Sequence, residues 1–295
     1  MSRITEWLSQ RPLITDGAWG TELQKLGLRI GELPDTWNLS HPESVAAIAR
    51  AYAEAGSEVI LTNTFRANAI AMKGTSDTQL DEINRAGVEI SKSATTNSLV
   101  FASIGPVGKL IASGEVNEEE IAVAFALQSQ SLAAAGADAL LIETMSDIEE
   151  ARLAVGAARA TGLPVIVSFA FDTGKNKERT FTGATPEKVA ISMAEAGADA
   201  VGANCGVGVE QAVAICARLR AACDLPIWMK PNAGLPIMEE AVARYATTPL
   251  FFASHFAAFR DAGAAFLGSC CGSTPEFIRA LVAARAQSES KRATC

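Results

Sequence analysis

Six cysteines and two histidines hold most of the reactive chemistry of this 295-residue chain. Three of the cysteines sit in glycine-flanked turns. Cys205 lies in Gly202-Ala203-Asn204-Cys205-Gly206, and Cys270 and Cys271 lie in Gly268-Ser269-Cys270-Cys271-Gly272. Glycine lets the backbone turn tightly enough for successive sulfurs to converge. Three thiolates with no fourth Cys or His nearby describe an open metal site, which leaves one position to a substrate. Soft sulfur ligands select zinc or a similarly thiophilic ion. Taken singly, each would read as an ordinary buried cysteine. Cys216 and Cys223 lie in or just after an alanine-rich helical stretch and read as packing residues, and Cys295 ends the chain. His41, in Ser40-His41-Pro42-Glu43, reads as a helix start, and His255 falls in a helical stretch; both read as structural.

The elements that must position these thiols are visible as a repeat. Gly56-Ser57-Glu58, Gly136-Ala137-Asp138, Gly197-Ala198-Asp199 and Gly263-Ala264-Ala265 each follow an Ala-rich amphipathic stretch and lead into a short apolar run. This pattern predicts a helix, a left-handed glycine and a buried parallel strand. Four further strands are expected at Pro12–Thr15, Leu99–Ile104, Pro164–Phe169 and Pro226–Lys230. Helices are expected over 43–55, 78–95, 117–135, 147–160, 186–196, 209–222 and 248–262. Eight alternating units in one domain over 1–295 predict an α/β fold, a single (β/α)8 TIM barrel, with an open doubly wound sheet as the alternative. The polar stretch 286–295 is expected to be a loose tail. Barrel active sites lie where the strands end. The repeat puts Asn63, Glu143, Cys205 and the Cys270-Cys271 pair there, with the cysteines on next-but-one strands.

Composition narrows the function. Lys plus Arg number 25 and Asp plus Glu 33, a net charge of −8, which argues against nucleic acid as a partner. No apolar run is long enough for a membrane span, and the start lacks a signal-peptide core, so a cytoplasmic protein with reduced thiols is expected.

Asp16-Gly17-Ala18-Trp19-Gly20-Thr21, Thr62-Asn63-Thr64-Phe65, Ile142-Glu143-Thr144 and the two cysteine motifs occur in that order. Together they resemble the zinc-dependent homocysteine S-methyltransferase family, from about Leu13 to Leu281. The resemblance implies a (β/α)8 barrel, one Zn(2+) on Cys205, Cys270 and Cys271, and homocysteine as methyl acceptor. A free thiol ionises near pH ~8.5, and coordination removes its proton. The catalytic group is then the substrate thiolate on zinc, and no general base is required, which suits a histidine-poor chain.

On this reading Glu143 pairs with the substrate ammonium. Backbone N–H groups of the loop Gly17, Ala18, Gly20 and Thr21 hold its carboxylate, and Asp16 orients that loop or helps bind the ammonium. Ser168 and Asn232 either touch substrate or serve as local structural hydrogen-bonders. For the methyl donor, aromatic faces suit a small cation such as betaine or a sulfonium. Trp37 resembles the tryptophan that betaine-using members place beside the donor, and Trp19, Phe65 and Asn63 lie on the same loops. Thr144 is closer to the homocysteine domain of corrinoid-dependent methionine synthase, so a separate corrinoid protein is the alternative donor. Two other classes remain: a metal-free lyase or aldolase using Lys230 as a Schiff base, and a thiol or zinc redox sensor without turnover.

Overall fold

Each repeat glycine ends a helix with a positive φ: Gly56 at 98°, Gly136 at 92°, Gly197 at 85° and Gly263 at 94°. The acidic residue two positions on has a structural task. Glu58 accepts from Ile14 N at 2.8 Å, Asp138 from Val100 N at 2.7 Å and Asp199 from Val165 N at 2.9 Å. Each carboxylate thus anchors the start of the preceding strand in the chain. The fourth copy has Ala265 at that position.

The computed structural model describes residues 3–8, 12–235, 237–239 and 242–293. Its main sheet has eight parallel strands: β1 (Leu13–Ile14), β2 (Val59–Leu61), β3 (Leu99–Ile104), β4 (Ala139–Met145), β5 (Val165–Phe169), β6 (Ala200–Gly208), β7 (Ile227–Asn232) and β8 (Ala264–Leu267). Their order is β1-β8-β7-β6-β5-β4-β3-β2. The two ends meet through a parallel bridge between Thr15 and Val59. Glu58 N donates to Ile14 O at 2.7 Å, and Asp16 N to Val59 O at 3.0 Å. The sheet is therefore a barrel and not an open, doubly wound one.

Inward-facing positions alternate along the strands, and they change character towards the strand ends. Phe101, Trp228 and Phe266 fill the lower barrel, with ring centroids 5.2–6.2 Å apart. Trp7, from the helix Arg3–Trp7, packs on Phe101 at 5.4 Å and plugs that end. Gly202 makes room for Trp228: a Cβ there would meet the Trp228 carbonyl oxygen at 1.8 Å. Two residues further along, the same strands carry Ser103, Asn204 and Lys230, with Glu143 likewise following Leu141. A polar layer thus rests on an apolar one.

Expected helices and strands recur within a residue or two, with three differences. The stretch 248–262 is two helices, Pro249–Ser254 and Phe256–Asp261. His255 Nδ1 contacts Phe251 O at 3.0 Å, while the His255 N–H turns to Phe252 O at 3.2 Å. The imidazole occupies the carbonyl that would have continued the helix. Second, the helix Pro275–Ala293 runs through the described part of the stretch 286–295. Arg260 holds Ser288 against the preceding helix. Third, a short antiparallel pair, Ile237–Glu239 with Val242–Arg244, follows β7 and was not legible as strands. Cys295 lies outside the described residues.

Candidate functional site

The end of β6 bends sharply. Cys205 and Gly206 both adopt left-handed backbone, with φ of 57° and 66°. For a non-glycine residue this costs about 1–2 kcal/mol. A Cβ on Gly206 would meet Phe171 O at 2.5 Å, so glycine is required there. The bend brings Cys205 Sγ to 3.8 Å from Cys271 Sγ. All three sulfurs of Cys205, Cys270 and Cys271 lie within 4.8 Å of one another. The end of β7 clamps the second loop: Cys270 N donates to Pro231 O at 2.8 Å, and Ala233 N to Cys271 O at 3.0 Å.

Two thiolates on one tetrahedral zinc, each with a bond of about 2.3 Å, sit about 3.8 Å apart. The Cys205–Cys271 spacing fits this. Without a cation the three groups share protons unevenly. S–H donation from Cys270 and Cys271 pulls Cys205 down to about 3, and the same contacts push Cys271 up and Cys270 up to about 12. A bound dication would hold all three as thiolates. Tyr245 covers this corner, its ring packed where a Gly272 side chain would be. Burial and the three neighbouring sulfurs raise its hydroxyl pKa. Nothing in the sequence distance between Tyr245 and the cysteines signalled this.

The polar layer forms the floor beside the sulfurs. Glu143 accepts from Ser103 Oγ at 2.5 Å and from Asn204 Nδ2 at a long 3.4 Å. Burial pushes its carboxyl up to about 7, against the opposing pull of the Lys230 ammonium. Asn204 ties the floor together. Its Oδ1 accepts from Thr144 N at 2.8 Å and Ser168 Oγ at 2.6 Å, and its Nδ2 donates to Thr144 Oγ1 at 2.7 Å. That clasp holds Thr144 at a φ of 61°, unusual for a β-branched residue. Both Asp16 oxygens are engaged: one pairs with Lys230 Nζ, and the other accepts from Trp19 Nε1 and Leu61 N, both at 2.8 Å. Burial lowers the Lys230 pKa, but the Asp16 and Glu143 carboxylates outweigh it and hold the ammonium above its ordinary range. A lysine held protonated is a poor Schiff-base nucleophile, which weighs against the lyase alternative.

A cavity of about 360 Å³ opens above this floor. Of the residues singled out from sequence, Gly17, Ala18, Trp19, Gly20, Asn63, Phe65, Glu143 and the three cysteines line it. Asp16 lies directly behind them. Ala18 N is already committed to Ser273 Oγ at 3.1 Å. Asn63 is tied to Pro34 O at 2.8 Å and to Asn38 Oδ1 at 3.0 Å.

Besides Asp16, four expected residues do not reach the cavity. Ser168 is fully buried behind the wall and acts through Asn204. Asn232 is buried beside Cys205. Thr21 belongs to the short helix Gly20–Lys25. Trp37 is turned away: its Nε1 donates to Glu32 Oε1 at 2.8 Å and its ring stacks on His41 at 4.2 Å. It lines a separate surface recess with Gly27, Arg29 and Ile30. Lys230, expected only as the Schiff base of the lyase alternative, also lines the cavity, which further gains Asp35, Arg66, Thr62 and Ser103. Asp35 accepts from Arg66 N at 2.8 Å, and burial raises its carboxyl to about 6. His41 and His255 are both outside the cavity. Cys216 donates to Ala262 O at 3.7 Å, and burial pushes it up to about 12, so it stays a neutral thiol.

Residues 13–285 match the family model described as homocysteine S-methyltransferase. The methionine synthases of Mycobacterium leprae and Mycobacterium tuberculosis are 29% and 30% identical, over 96% and 95% of this chain. The chain spans 25% of the length of each. Among solved structures, the homocysteine methyltransferase MmuM from Escherichia coli in its metallated form has the same fold, with a TM-score of 0.78 at 24% identity. The alignment covers 95% of this chain and 98% of that one. Its apo form matches with a TM-score of 0.74, over 94% and 97% of the two chains. Among the described residues no helix is long and apolar enough to cross a membrane.

Proposed function

Because the chain belongs to the homocysteine S-methyltransferase family, we propose that it transfers a methyl group to the thiol of L-homocysteine, giving methionine. Cys205, Cys270 and Cys271 would hold the zinc. The observation that carries this reading is the convergence of three sulfurs, two of them at tetrahedral spacing, on a cavity that also holds a buried carboxylate. Bound there, zinc would lower the pKa of an incoming thiol, so that its sulfur would be a nucleophilic thiolate at neutral pH.

The chain's own residues do the rest. Glu143 pairs with the substrate ammonium, and a cation there favours the ionised carboxylate that burial opposes. Asn204 and Ser103 fix the orientation of Glu143. Asp16, through Trp19 and Leu61, fixes the first loop against β2. Transfer to sulfur is an in-line displacement: the new C–S bond forms as the bond from methyl to its donor breaks, and the electron pair leaves with the donor. No side chain has to move a proton during that step.

The donor is a small cationic methyl compound, such as betaine or a sulfonium. Trp19 and Phe65 offer aromatic faces to the cavity and Asp35 a carboxyl, which together suit a cation. A second reading, methyl supplied by a separate corrinoid protein, is favoured by the similarity to one quarter of two methionine synthases. The test is to supply zinc-loaded protein and homocysteine with betaine, dimethylsulfoniopropionate, S-methylmethionine, S-adenosylmethionine or methylcobalamin in turn, and to measure methionine. Turnover with a cationic compound supports the first reading, and turnover with methylcobalamin alone supports the second. No methionine with any of the five contradicts both.

A further inference from the structure

We propose that a second cavity, between the helices Asp77–Ala94 and Glu118–Ala134, binds a small uncharged molecule through a carboxamide or a similar paired donor and acceptor. The proposal is independent of the homocysteine reading. This cavity measures about 380 Å³, close to the first at about 360 Å³. Its walls include Leu80, Ala124, Leu127 and Ala134. Its base is made of three carboxamides, Asn68, Asn84 and Gln128, each at most 2% exposed.

Buried amides in a folded protein normally have their donors and acceptors paired. Here the pairing is incomplete in a defined way. Asn84 Nδ2 donates to Ala67 O at 2.8 Å and to Leu80 O at 2.9 Å. Gln128 Nε2 donates to Thr64 O at 2.8 Å, which leaves Gln128 Oε1 without a partner among the described residues. Asn68 Oδ1 accepts from Ala71 N at 2.9 Å and Ile70 N at 3.2 Å, which leaves Asn68 Nδ2 without one. These contacts fix which way round each amide lies. A flipped Gln128 would set its oxygen against Thr64 O, and a flipped Asn68 would set its NH2 against two N–H donors. The base therefore carries one unanswered donor and one unanswered acceptor, and leaving either so is costly. A ligand carbonyl answers Asn68 Nδ2, and a ligand N–H answers Gln128 Oε1. A carboxamide brings both in one small group.

Charge narrows the class. None of the three base residues is charged. On the rim, Arg85 pairs with Asp81 at 2.7 Å, Asp81 also accepts from Ser131 Oγ at 2.5 Å, and Asp77 is exposed. A charged polar end would find no opposite charge at the base, so this is not a second place for a zwitterionic or cationic substrate. The two cavities share a wall. Asn63, Phe65 and Arg66 line the first, Ala67, Asn68 and Ala69 line the second, and Gln128 holds Thr64 between them.

The competing explanation is that solvent alone satisfies the two groups. The probe is nicotinamide, with nicotinate as the same ring lacking an amide N–H. Each is titrated into zinc-loaded protein and followed by saturation-transfer NMR. A Kd of about 1–10 mM is expected for nicotinamide, with nicotinate at least about tenfold weaker. Asn68→Asp keeps the oxygen that Ile70 and Ala71 use and turns the spare donor into an acceptor. It should weaken nicotinamide at least about tenfold. Ala134→Phe fills the cavity from its exposed rim and should abolish saturable binding, with melting temperature and zinc content near wild type. No saturable binding of nicotinamide to wild type below about 30 mM overturns the proposal. So does nicotinate binding as tightly as nicotinamide, or unweakened binding in either folded variant. Methionine formation is not part of this readout, so the homocysteine reading and this proposal fail separately.

Discussion

Replacing Glu143 with Gln should stabilise the metal-free protein in a pH-dependent way while impairing it as a binding site. Burial raises the Glu143 carboxyl from 4.5 to about 7. A carboxyl raised in this way binds more protons folded than unfolded between those two values. Its contribution to stability is therefore present below about pH 4.5 and is lost as pH rises to about 7. Integrated from pH 5 to pH 8, the loss is about 2–3 kcal/mol. Glu143→Gln keeps the shape and can still accept from Ser103, but it has no charge to bury. Its fixed cost is one mismatched contact to Asn204, which does not vary with pH. Urea unfolding of metal-free protein, followed by tryptophan fluorescence at pH 5 and pH 8, isolates the ionisation. The stability of the variant relative to wild type should rise by about 2–3 kcal/mol between the two pH values. The zinc-loaded variant should bind homocysteine at least about tenfold more weakly, for want of an anion opposite the ammonium. A relative stability that is flat with pH, or that falls, would refute the account of a desolvated carboxylate under the site.

Other perturbations separate scaffold from chemistry. Asp199→Ala removes the acceptor for Val165 N at the opposite end of the barrel from the cysteines, and should cost about 1–3 kcal/mol in unfolding with zinc content unchanged. Gly272→Ala should abolish stoichiometric zinc binding, measured by metal analysis. It places a Cβ 2.1 Å from the Tyr245 ring at a φ of 81°, next to Cys271. Trp37→Phe should leave the KM for any methyl donor within about twofold, because Trp37 lies outside the cavity, whereas Phe65→Ala should raise it. Equal effects of the two would return Trp37 to the donor side.

Much of this was legible because the repeat couples spacing to geometry. A left-handed glycine sets where each repeated helix ends, and the strand that follows has a short fixed length. The residues seven or eight positions on, Asn63, Glu143, Cys205 and Cys270, therefore arrive at one end of the barrel. Pairings that depend on closure were not legible. Asp16 and Lys230 lie 214 residues apart, and only the closed barrel sets them side by side. Lys230 was visible as a strand-end lysine, yet its protonation is decided by neighbours that the sequence does not display. Asn204 was part of a cysteine motif, but its hydrogen-bonding to Thr144 and Ser168 depends on register across β4, β5 and β6. Trp37 begins the short helix Trp37–Ser40 off the cavity, and a single tryptophan in a connection carries no periodicity that fixes its direction. Its indole N–H found Glu32 on the outside, while Trp19 found Asp16 on the inside. The alternation along β3 does carry one signal for the site: Ser103, two residues past Phe101, faces inward with it.

Zinc X-ray absorption with and without homocysteine reads whether Cys205, Cys270 and Cys271 hold zinc with one position open to the substrate thiol. About three sulfurs at about 2.3 Å are expected in the zinc-loaded protein alone, rising to about four when homocysteine is added. A sulfur count unchanged by homocysteine, or a Cys271→Ala protein whose zinc shell and content match wild type, would contradict that arrangement.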